Sequence, residues 1–236
     1  MEALIYGDDP QQKAELHRPA SRSRGVVVVV HGGFWRARYD FSLGRPLAAS
    51  LARRGWTAVN LEYRRVGNGG GYPRTLDDVA AGIDHLADVP DLDTSTVVTL
   101  GHSAGGHLAV WAAGRRSPRV RVTAAVAQAG VLDLRTAVER DLGAGAVRDL
   151  LGEHADDTVA LDAADPMARV PLDVPVWCVH SPGDESVPIE QSQAYVRRAR
   201  AAGARAGLVT VDGDHSVHLD VSSEAWVRTT ELLEDL

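Results

Sequence analysis

The chain has 236 residues, a length typical of one domain that can bury a substantial core without disulfides or metal ions. Hydrophobic residues make up 44% of the sequence and charged residues 24%, which are ordinary values for a globular protein. The net charge of -7 argues against a nucleic-acid partner, which would favour a basic surface. Cys178 is the one cysteine, so an internal disulfide is excluded, and its apolar flanks predict a core residue.

No segment of the sequence has the pattern of a targeting signal or a membrane span. The N-terminal stretch MEALIYGDDPQQ lacks the basic and apolar regions of a signal peptide. No apolar stretch approaches the ~20 residues of a transmembrane helix. We therefore expect a cytoplasmic protein that binds a small molecule and has neither a nucleic-acid nor a membrane partner. A homodimer is left open.

Six short apolar segments predict β-strands. The first is the valine run 26–30, which is β-branched throughout and does not alternate, so it suits a strand buried on both faces. The other five predicted strands cover residues 56–63, 95–100, 123–130, 174–180 and 206–213. Helical patterns occur between or after these strands, at residues 43–55, 75–89, 103–113, 188–203 and 222–236.

This alternation predicts an α/β fold, with a mostly parallel central sheet and helices on both faces, in one domain over residues 1–236. Ligands of such sheets bind beyond the carboxyl ends of the strands, so catalytic residues should directly follow strands. Residues 131–170 form the longest stretch without a clear strand. We expect a small cap over the site there.

The motif GHSAGG places Ser103 where a buried strand turns into a helix. A nucleophilic serine at such a turn needs small neighbours, here Gly101 and Gly105, because its hydroxyl must be lifted out of the sheet. The N–H of Ala104 would lie at the helix N-terminus, where it can stabilise an oxyanion. By itself the motif is equally consistent with a plain glycine-rich turn between strand and helix.

The motif HGGFWR directly follows the valine run. Its adjacent glycines let the backbone approach a substrate, which frees the N–H groups of Gly33 and Phe34 as oxyanion donors. A tight structural turn is the alternative. Trp35, Arg36 and Tyr72 are candidates for lining the substrate pocket, and an arginine at its entrance would favour anionic substrates.

An acid and a base are expected after late strands. The stretch HSPGDESVP supplies Asp184 after the fifth predicted strand, with Glu185 as its adjacent competitor. The stretch DGDHSVHLD supplies His215 after the last predicted strand, with His218 as the competitor. The chain order Ser103, Asp184, His215 matches the order of nucleophile, acid and base in one known fold class.

Four other histidines are interpreted as structural. We expect His31 to order its loop, His102 and His107 to pack around the serine turn, and His180 to support the acid loop. A metal cluster in DGDHSVH is an alternative interpretation, but no other part of the chain completes such a site at recognisable spacing. No metal and no cofactor are therefore expected.

With these motifs the sequence resembles the α/β-hydrolase superfamily, and more closely the small esterases of the kynurenine formamidase and carboxylesterase type. The resemblance covers nearly the whole chain and is carried by HGGFWR, EYRR, GHSAGGHLA, HSPGDESVP and DGDHSVHLD. It implies a catalytic triad and an oxyanion hole. These would consist of Ser103, Asp184 and His215, with the N–H groups of Gly33, Phe34 and Ala104.

The function that this resemblance implies is hydrolysis of a small-molecule carboxylic ester through an acyl-enzyme. An arylformamidase acting on N-formylkynurenine-like amides is the first alternative. A small peptidase is less favoured, since peptidases of the related prolyl oligopeptidase type usually carry an extra domain. A non-catalytic binding protein of the same fold would show a degraded triad or oxyanion loop, and neither motif is degraded. Relatives often have a third glycine where this chain has Phe34, which leaves the substrate class open.

Overall fold

The computed structural model describes residues 1–236 and contains eight strands and eight α-helices. The strands are β1 (Glu2–Ile5), β2 (Lys13–His17), β3 (Val26–Val30), β4 (Thr57–Leu61), β5 (Val97–His102), β6 (Ala124–Gln128), β7 (Val176–His180) and β8 (Ala206–Thr210). The helices are α1 (Arg45–Arg53), α2 (Arg74–Asp84), α3 (Ala104–Ala113), α4 (Leu134–Glu139), α5 (Ala146–Leu151), α6 (Thr158–Ala164), α7 (Glu190–Ala201) and α8 (Glu224–Glu234). None of the helices combines the length and the apolar character needed to cross a bilayer.

The strands form one mixed sheet in the order β1-β2-β4-β3-β5-β6-β7-β8. The pairs β1–β2 and β2–β4 are antiparallel, and all other pairs are parallel. The α/β fold predicted from the sequence is therefore confirmed. All six predicted strands are present, β3 with the predicted bounds and the other five with slightly different ones. Because the strands from β3 onward are parallel, the loops after β3, β5, β7 and β8 emerge at the same edge of the sheet.

The antiparallel strands β1 and β2 were not predicted from the sequence. Three of the four residues of β1 are exposed, so this edge strand lacks an apolar pattern. In β2, the buried Glu15 breaks the apolar pattern, and its carboxylate accepts hydrogen bonds from Arg45 and Asn60. Neither strand therefore carries the apolar run that identifies the parallel strands.

The five valines of β3 divide between the two faces of the sheet, and all are at most 2% exposed. Val26, Val28 and Val30 belong to a core that includes residues of α2 and α3. Val27 and Val29 belong to a second core, which includes residues of α1 and α8. The prediction of a strand buried on both faces is confirmed, since side chains of a strand alternate between the faces.

The 131–170 segment contains the three short helices α4, α5 and α6. Their apolar residues join the same core as α2 and α3, including Leu134, Val147 and Leu161. The segment therefore packs on the body of the protein, and its residues line a small, largely apolar cavity beside Ser103.

Candidate active site

Ser103 lies in a strained turn between β5 and α3, with φ 57° and ψ -120°. Backbone in this left-handed region is costly for a residue with a side chain, and such residues cluster at functional sites. The flanking glycines make the turn sterically feasible. A Cβ on Gly105 would lie 2.0 Å from the carbonyl oxygen of Val30, and one on Gly101 would lie 2.1 Å from the oxygen of Gly105. The turn is thus more than a plain glycine-rich connection, because it holds Ser103 in a conformation that serine rarely adopts.

Asp184 and His215 form the closest acid–histidine contact of the site. The Asp184 Oδ2 and His215 Nδ1 atoms are 2.7 Å apart. The other carboxylate oxygen, Oδ1, accepts hydrogen bonds from the backbone N–H groups of Ser186 and Val187, each at 2.9 Å. The Asp184 side chain is fully buried, whereas the His215 side chain is 20% exposed. The loops after β7 and β8 therefore place a fixed carboxylate behind an accessible imidazole.

The electrostatics of this pair favour a charged carboxylate. Burial opposes the ionisation of Asp184, but contacts with His180 and His215 and the N–H of Val187 outweigh it, so the pKa of Asp184 lies well below its usual range. An ionised Asp184 can only accept hydrogen bonds. His215 must then donate from Nδ1, which leaves its Nε2 atom as an acceptor.

Ser103 and His215 line the same open cleft, which has a volume of about 660 Å³. The Ser103 hydroxyl forms no hydrogen bond in this structure, and the hydrogen bond of the His215 ring is the one to Asp184. Catalytic hydrogen bonds are often absent or long without substrate. The structure therefore brings all three predicted triad residues to one place, but no hydrogen bond joins Ser103 to His215.

The two competitors occupy different environments. Glu185 is exposed and lines the cleft, whereas Asp184 is the carboxylate that contacts His215. His218 is fully buried, and neither of its ring nitrogens has a hydrogen-bond partner. Burial, together with the nearby His180 and His215, lowers the pKa of His218 to about 3. His218 is consequently a neutral residue that packs near the His102 ring and does not take part in the carboxylate contact.

The loop after β3 adopts a run of left-handed residues, with φ of 109° at Gly33, 58° at Phe34 and 55° at Trp35. The N–H groups of Gly33 and Phe34 donate no hydrogen bond within the protein. Ala104 is the first residue of α3, so its N–H has no helical carbonyl to bond. All three donors are therefore free, as an oxyanion hole requires.

A buried cluster formed by His31, Glu62 and Arg65 supports this loop. His31 Nε2 and Arg65 Nη1 each lie 3.0 Å from Glu62 Oε1. The second carboxylate oxygen of Glu62 accepts the backbone N–H of Phe41, and the Tyr63 ring stacks on His31 with centroids 4.4 Å apart. The expectation that His31 orders the loop is confirmed. The sequence analysis did not predict the role of Glu62, although this charged residue of the EYRR motif directly follows the buried strand β4.

The three candidate substrate-pocket residues lie outside the open cleft. Trp35 is 2% exposed, and its Nε1–H donates to His107 Nδ1 at 3.2 Å. Arg36 forms an ion pair with Asp149 at 2.7 Å, so it offers no free charge to an anionic substrate. Tyr72 packs against the core. It lines neither the cleft nor the small apolar cavity beside Ser103. Trp35 does line that small cavity.

Three further histidines and the cysteine have structural surroundings, as expected. His102 Nε2 lies 2.8 Å from the carbonyl oxygen of His215, and burial followed by the charges of neighbouring histidines lowers the pKa of His102 to about 3. Burial lowers the pKa of His107 to about 4. His180 contacts the Val187 carbonyl oxygen at 2.9 Å and thereby supports the acid loop. Burial raises the pKa of the Cys178 thiol to about 12, which identifies an inert core residue.

The mostly parallel sheet, with a strained serine turn after β5, defines the protein as an α/β-hydrolase-fold protein. It belongs to the BD-FAE family, whose sequence profile matches residues 15–198.

Individual relatives are distant. Isoprenylcysteine alpha-carbonyl methylesterase ICME of Arabidopsis thaliana is 23% identical, with 99% of this chain and 60% of that protein covered. Esterase LipC of Mycobacterium tuberculosis is 28% identical, with 89% of this chain and 58% of that protein covered. A solved truncated form of a carbohydrate esterase from gut microbiota has a TM-score of 0.82 at 18% identity, covering 100% of this chain and 96% of that one. The chain thus spans about 60% of the length of the curated relatives it matches.

Proposed function

We propose that the protein is a serine hydrolase that cleaves a carboxylic ester of a small molecule. The observation that carries the proposal is the contact between buried, charged Asp184 and accessible His215 in the cleft that Ser103 lines. The names of the relatives support it, because ICME, LipC and the solved gut-microbiota protein are all described as esterases.

In the first half of the reaction, the Nε2 atom of His215 removes the proton of Ser103 Oγ, which attacks the ester carbonyl carbon. The carbonyl oxygen becomes an oxyanion and accepts hydrogen bonds from the free N–H groups of the loop after β3 and of Ala104. Asp184 stabilises the imidazolium that forms on His215. The strained turn contributes by holding Oγ at the cleft before the substrate arrives.

In the second half, His215 gives the proton to the leaving alcohol and the carbon–oxygen bond breaks, leaving the acyl group on Ser103. Water then enters, His215 takes one of its protons, and the remaining hydroxide attacks the acyl-enzyme. Collapse of the second oxyanion releases the carboxylic acid and returns the proton to Ser103.

Arylformamidase activity is the second candidate, since the same groups would cleave an N-formyl amide. The cleft lining argues against it. N-formylkynurenine carries a carboxylate beside its ammonium group, and the residues lining the cleft include Glu185 and Asp214 but neither arginine nor lysine to pair with that carboxylate. Uncompensated acidic groups raise the cost of binding an anionic group. An ester of a neutral alcohol meets no such penalty.

The test is to measure kcat/KM for p-nitrophenyl acetate and for N-formylkynurenine. We expect the ester to be preferred, and we expect Ser103→Ala to lower kcat by about 10⁴-fold or more. Ser222→Ala is the matched control, because Ser222 is exposed and bonds only within its own turn, to Asp220. Equal rates for wild type and Ser103→Ala would overturn the enzyme proposal, and a preference for the amide would replace esterase with arylformamidase.

A further inference from the structure

A second large cavity lies where α3 ends, away from the cleft at Ser103. Its volume is about 800 Å³, and it shares no lining residue with the cleft. Helix α3 begins directly after Ser103 and is 10 residues long, and Trp111 and Gly114 at its other end line this cavity. We call it the arginine cavity, because three arginines line it, namely Arg115, Arg116 and Arg169.

The two carboxylates that line the arginine cavity already have arginine partners. Asp84 Oδ2 lies 3.0 Å from Arg115 Nη1. Asp162 Oδ1 lies 2.5 Å from Nη2 of Arg135, which is not a lining residue. Each of these pairs is neutral as a whole. Neither carboxylate therefore compensates the charge of the two other arginines of the cavity.

The guanidinium group of Arg169 is held in place by uncharged partners. Its Nη1 donates to the carbonyl oxygen of Gly114 at 3.0 Å, and its Nη2 donates to that of Ala163 at 2.6 Å. The group lies over the Trp111 ring, 5.1 Å from the ring centroid. Its Nε atom is buried and has no hydrogen-bond partner. A positive charge is thus fixed at the cavity before any ligand arrives, which lowers the entropic cost of binding.

Arg116 supplies the second unpaired charge. It is exposed and forms neither an ion pair nor a hydrogen bond with the rest of the protein. Burial, and next to it the positive charge of Arg116, lower the pKa of Arg169. The two guanidinium groups are therefore close enough to repel each other, with no carboxylate between them. An anion bound there would relieve this repulsion.

Arginines near the end of a helix often serve only to bind its last carbonyl groups and to complement its dipole. Arg115 and Arg169 do contact such carbonyl groups, at Ala112 and Gly114. Arg116 contacts none. The dipole of α3 places only about half a negative charge at this end, which is less than the two uncompensated positive charges. Helix capping therefore does not account for Arg116.

The charge and the walls of the arginine cavity indicate the chemistry of its ligand. A phosphate monoester carries a charge of about -1.5 to -2 at pH 7, which matches two unpaired guanidinium groups. The planar fork of arginine also fits phosphate oxygens in pairs. Small side chains form much of the remaining wall, and the volume suits a site that holds a whole small molecule. These side chains are Ala80, Ala163 and Ala168.

We propose that the arginine cavity binds the phosphate group of a small molecule between Arg116 and Arg169. The phosphate is the shared chemistry of two sources, the free ion and a phosphate monoester. The inference does not rest on ester hydrolysis, because the cavity and the cleft have no lining residue in common.

Isothermal titration calorimetry at constant ionic strength tests the ligand chemistry, with phenyl phosphate, inorganic phosphate and benzoate as probes. We expect phenyl phosphate to bind about 10-fold more tightly than inorganic phosphate, because its ring buries apolar surface in the cavity. Benzoate has the same ring but a single charge, so its Kd should be about 10-fold higher or more. Equal affinity for inorganic phosphate would identify the free ion as the ligand. Equal affinity for benzoate would overturn the assignment to phosphate.

Variants of Arg116 test the location, and its exposure means that replacing it should not impair folding. Arg116→Ala should raise the Kd for phenyl phosphate about 10-fold or more, because a charge-assisted hydrogen bond is lost. Arg116→Lys should raise it less, since the charge is kept and only the fork is lost. Arg169→Lys is the second site variant and should also raise the Kd.

Arg53→Ala is the matched control. Arg53 is also exposed, has no ion pair and lies in the last turn of its helix, α1, which packs in the core on the other face of the sheet. Its Kd should equal that of wild type. An equal rise in Kd for Arg53→Ala and Arg116→Ala would mean that the anion binds to surface charge in general, which overturns the proposal.

Two other results would overturn it as well. If phenyl phosphate binds in the cleft at Ser103 instead, Arg116→Ala will leave its Kd unchanged. If wild type does not bind phenyl phosphate at millimolar concentration, the cavity is not a phosphate site. Either result leaves the hydrolase proposal standing, because that proposal is tested by ester cleavage in wild type and Ser103→Ala.

Discussion

Replacing His218 with leucine should stabilise the protein. Its side chain is fully buried, and both ring nitrogens lack hydrogen-bond partners. Its nearest aromatic neighbour is the His102 ring, with centroids 5.8 Å apart. A leucine of similar size would fill the same space without burying a polar atom.

The expected gain at pH 7 follows from the cost of the unpartnered nitrogens. Leaving a buried donor or acceptor without a partner costs about 1–3 kcal/mol. Loss of the tilted ring contact with His102 lowers the free energy of unfolding by about 0.5–1 kcal/mol. From the middle of each range, we expect His218→Leu to raise the free energy of unfolding by about 1 kcal/mol at pH 7.

The gain should grow as the pH falls. The pKa of His218 is lowered from 6.5 to about 3 by burial and by neighbouring histidines, so the unfolded chain binds a proton that the folded protein excludes. The stability associated with this group is present above pH 6.5 and is lost as the pH falls below that value. At pH 5 the free energy of unfolding of wild type is lower by about 2 kcal/mol for this reason. The leucine variant has no such loss.

The assay is urea denaturation of wild type, His218→Leu and His218→Gln at pH 7 and pH 5. Glutamine is the matched control because it cannot titrate but still buries polar atoms. It should lose the additional pH dependence without gaining stability at pH 7. A leucine variant that is less stable than wild type at both pH values would refute the reasoning about the unpartnered nitrogens. An unchanged difference between the two pH values would refute the titration argument.

Three further changes test the surroundings of Ser103. Glu62→Gln should lower the free energy of unfolding by about 3–5 kcal/mol, because it leaves the buried guanidinium of Arg65 without its carboxylate partner, and urea denaturation measures this. Gly105→Ala should abolish ester hydrolysis, since its Cβ would lie 2.0 Å from the Val30 oxygen, while Ser222→Ala should keep it. Arg36→Ala should lower the free energy of unfolding by about 1 kcal/mol or less, because its ion pair with Asp149 is partly exposed, and urea denaturation measures this too.

The sequence could predict those site residues whose position depends on adjacent residues in the chain. Ser103 is identified by the glycines on either side of it, which are needed for the turn whatever the rest of the chain does. Asp184 and His215 follow strands that are apolar over several residues, so their common edge of the sheet could be inferred from the fold alone. Choosing His215 over His218 needed only the distance of each from the end of the last strand.

What the sequence could not predict depends on contacts between distant segments. Glu62 supports the loop after β3 only because β4 pairs with β3 in parallel, with Leu61 opposite Val30. The expected placement of Arg36 in the pocket failed for the same reason. Its partner Asp149 is 113 residues away, on a helix with no motif of its own. Residues 131–170 were predicted to form a small cap because they lack strands, and the side chains that they place beside Ser103 depend on tertiary packing.

The serine turn and the loop after β3 behave as one structural unit. Val30 lies opposite Gly101 in the parallel pair β3–β5, so the two motifs leave the sheet side by side. Gly105 then packs its bare Cα against the carbonyl groups of Val30 and His31. The distance between Ser103 and the free N–H groups is consequently set by backbone contact, which cannot relax through side-chain rotation. This explains why glycine is needed at position 105.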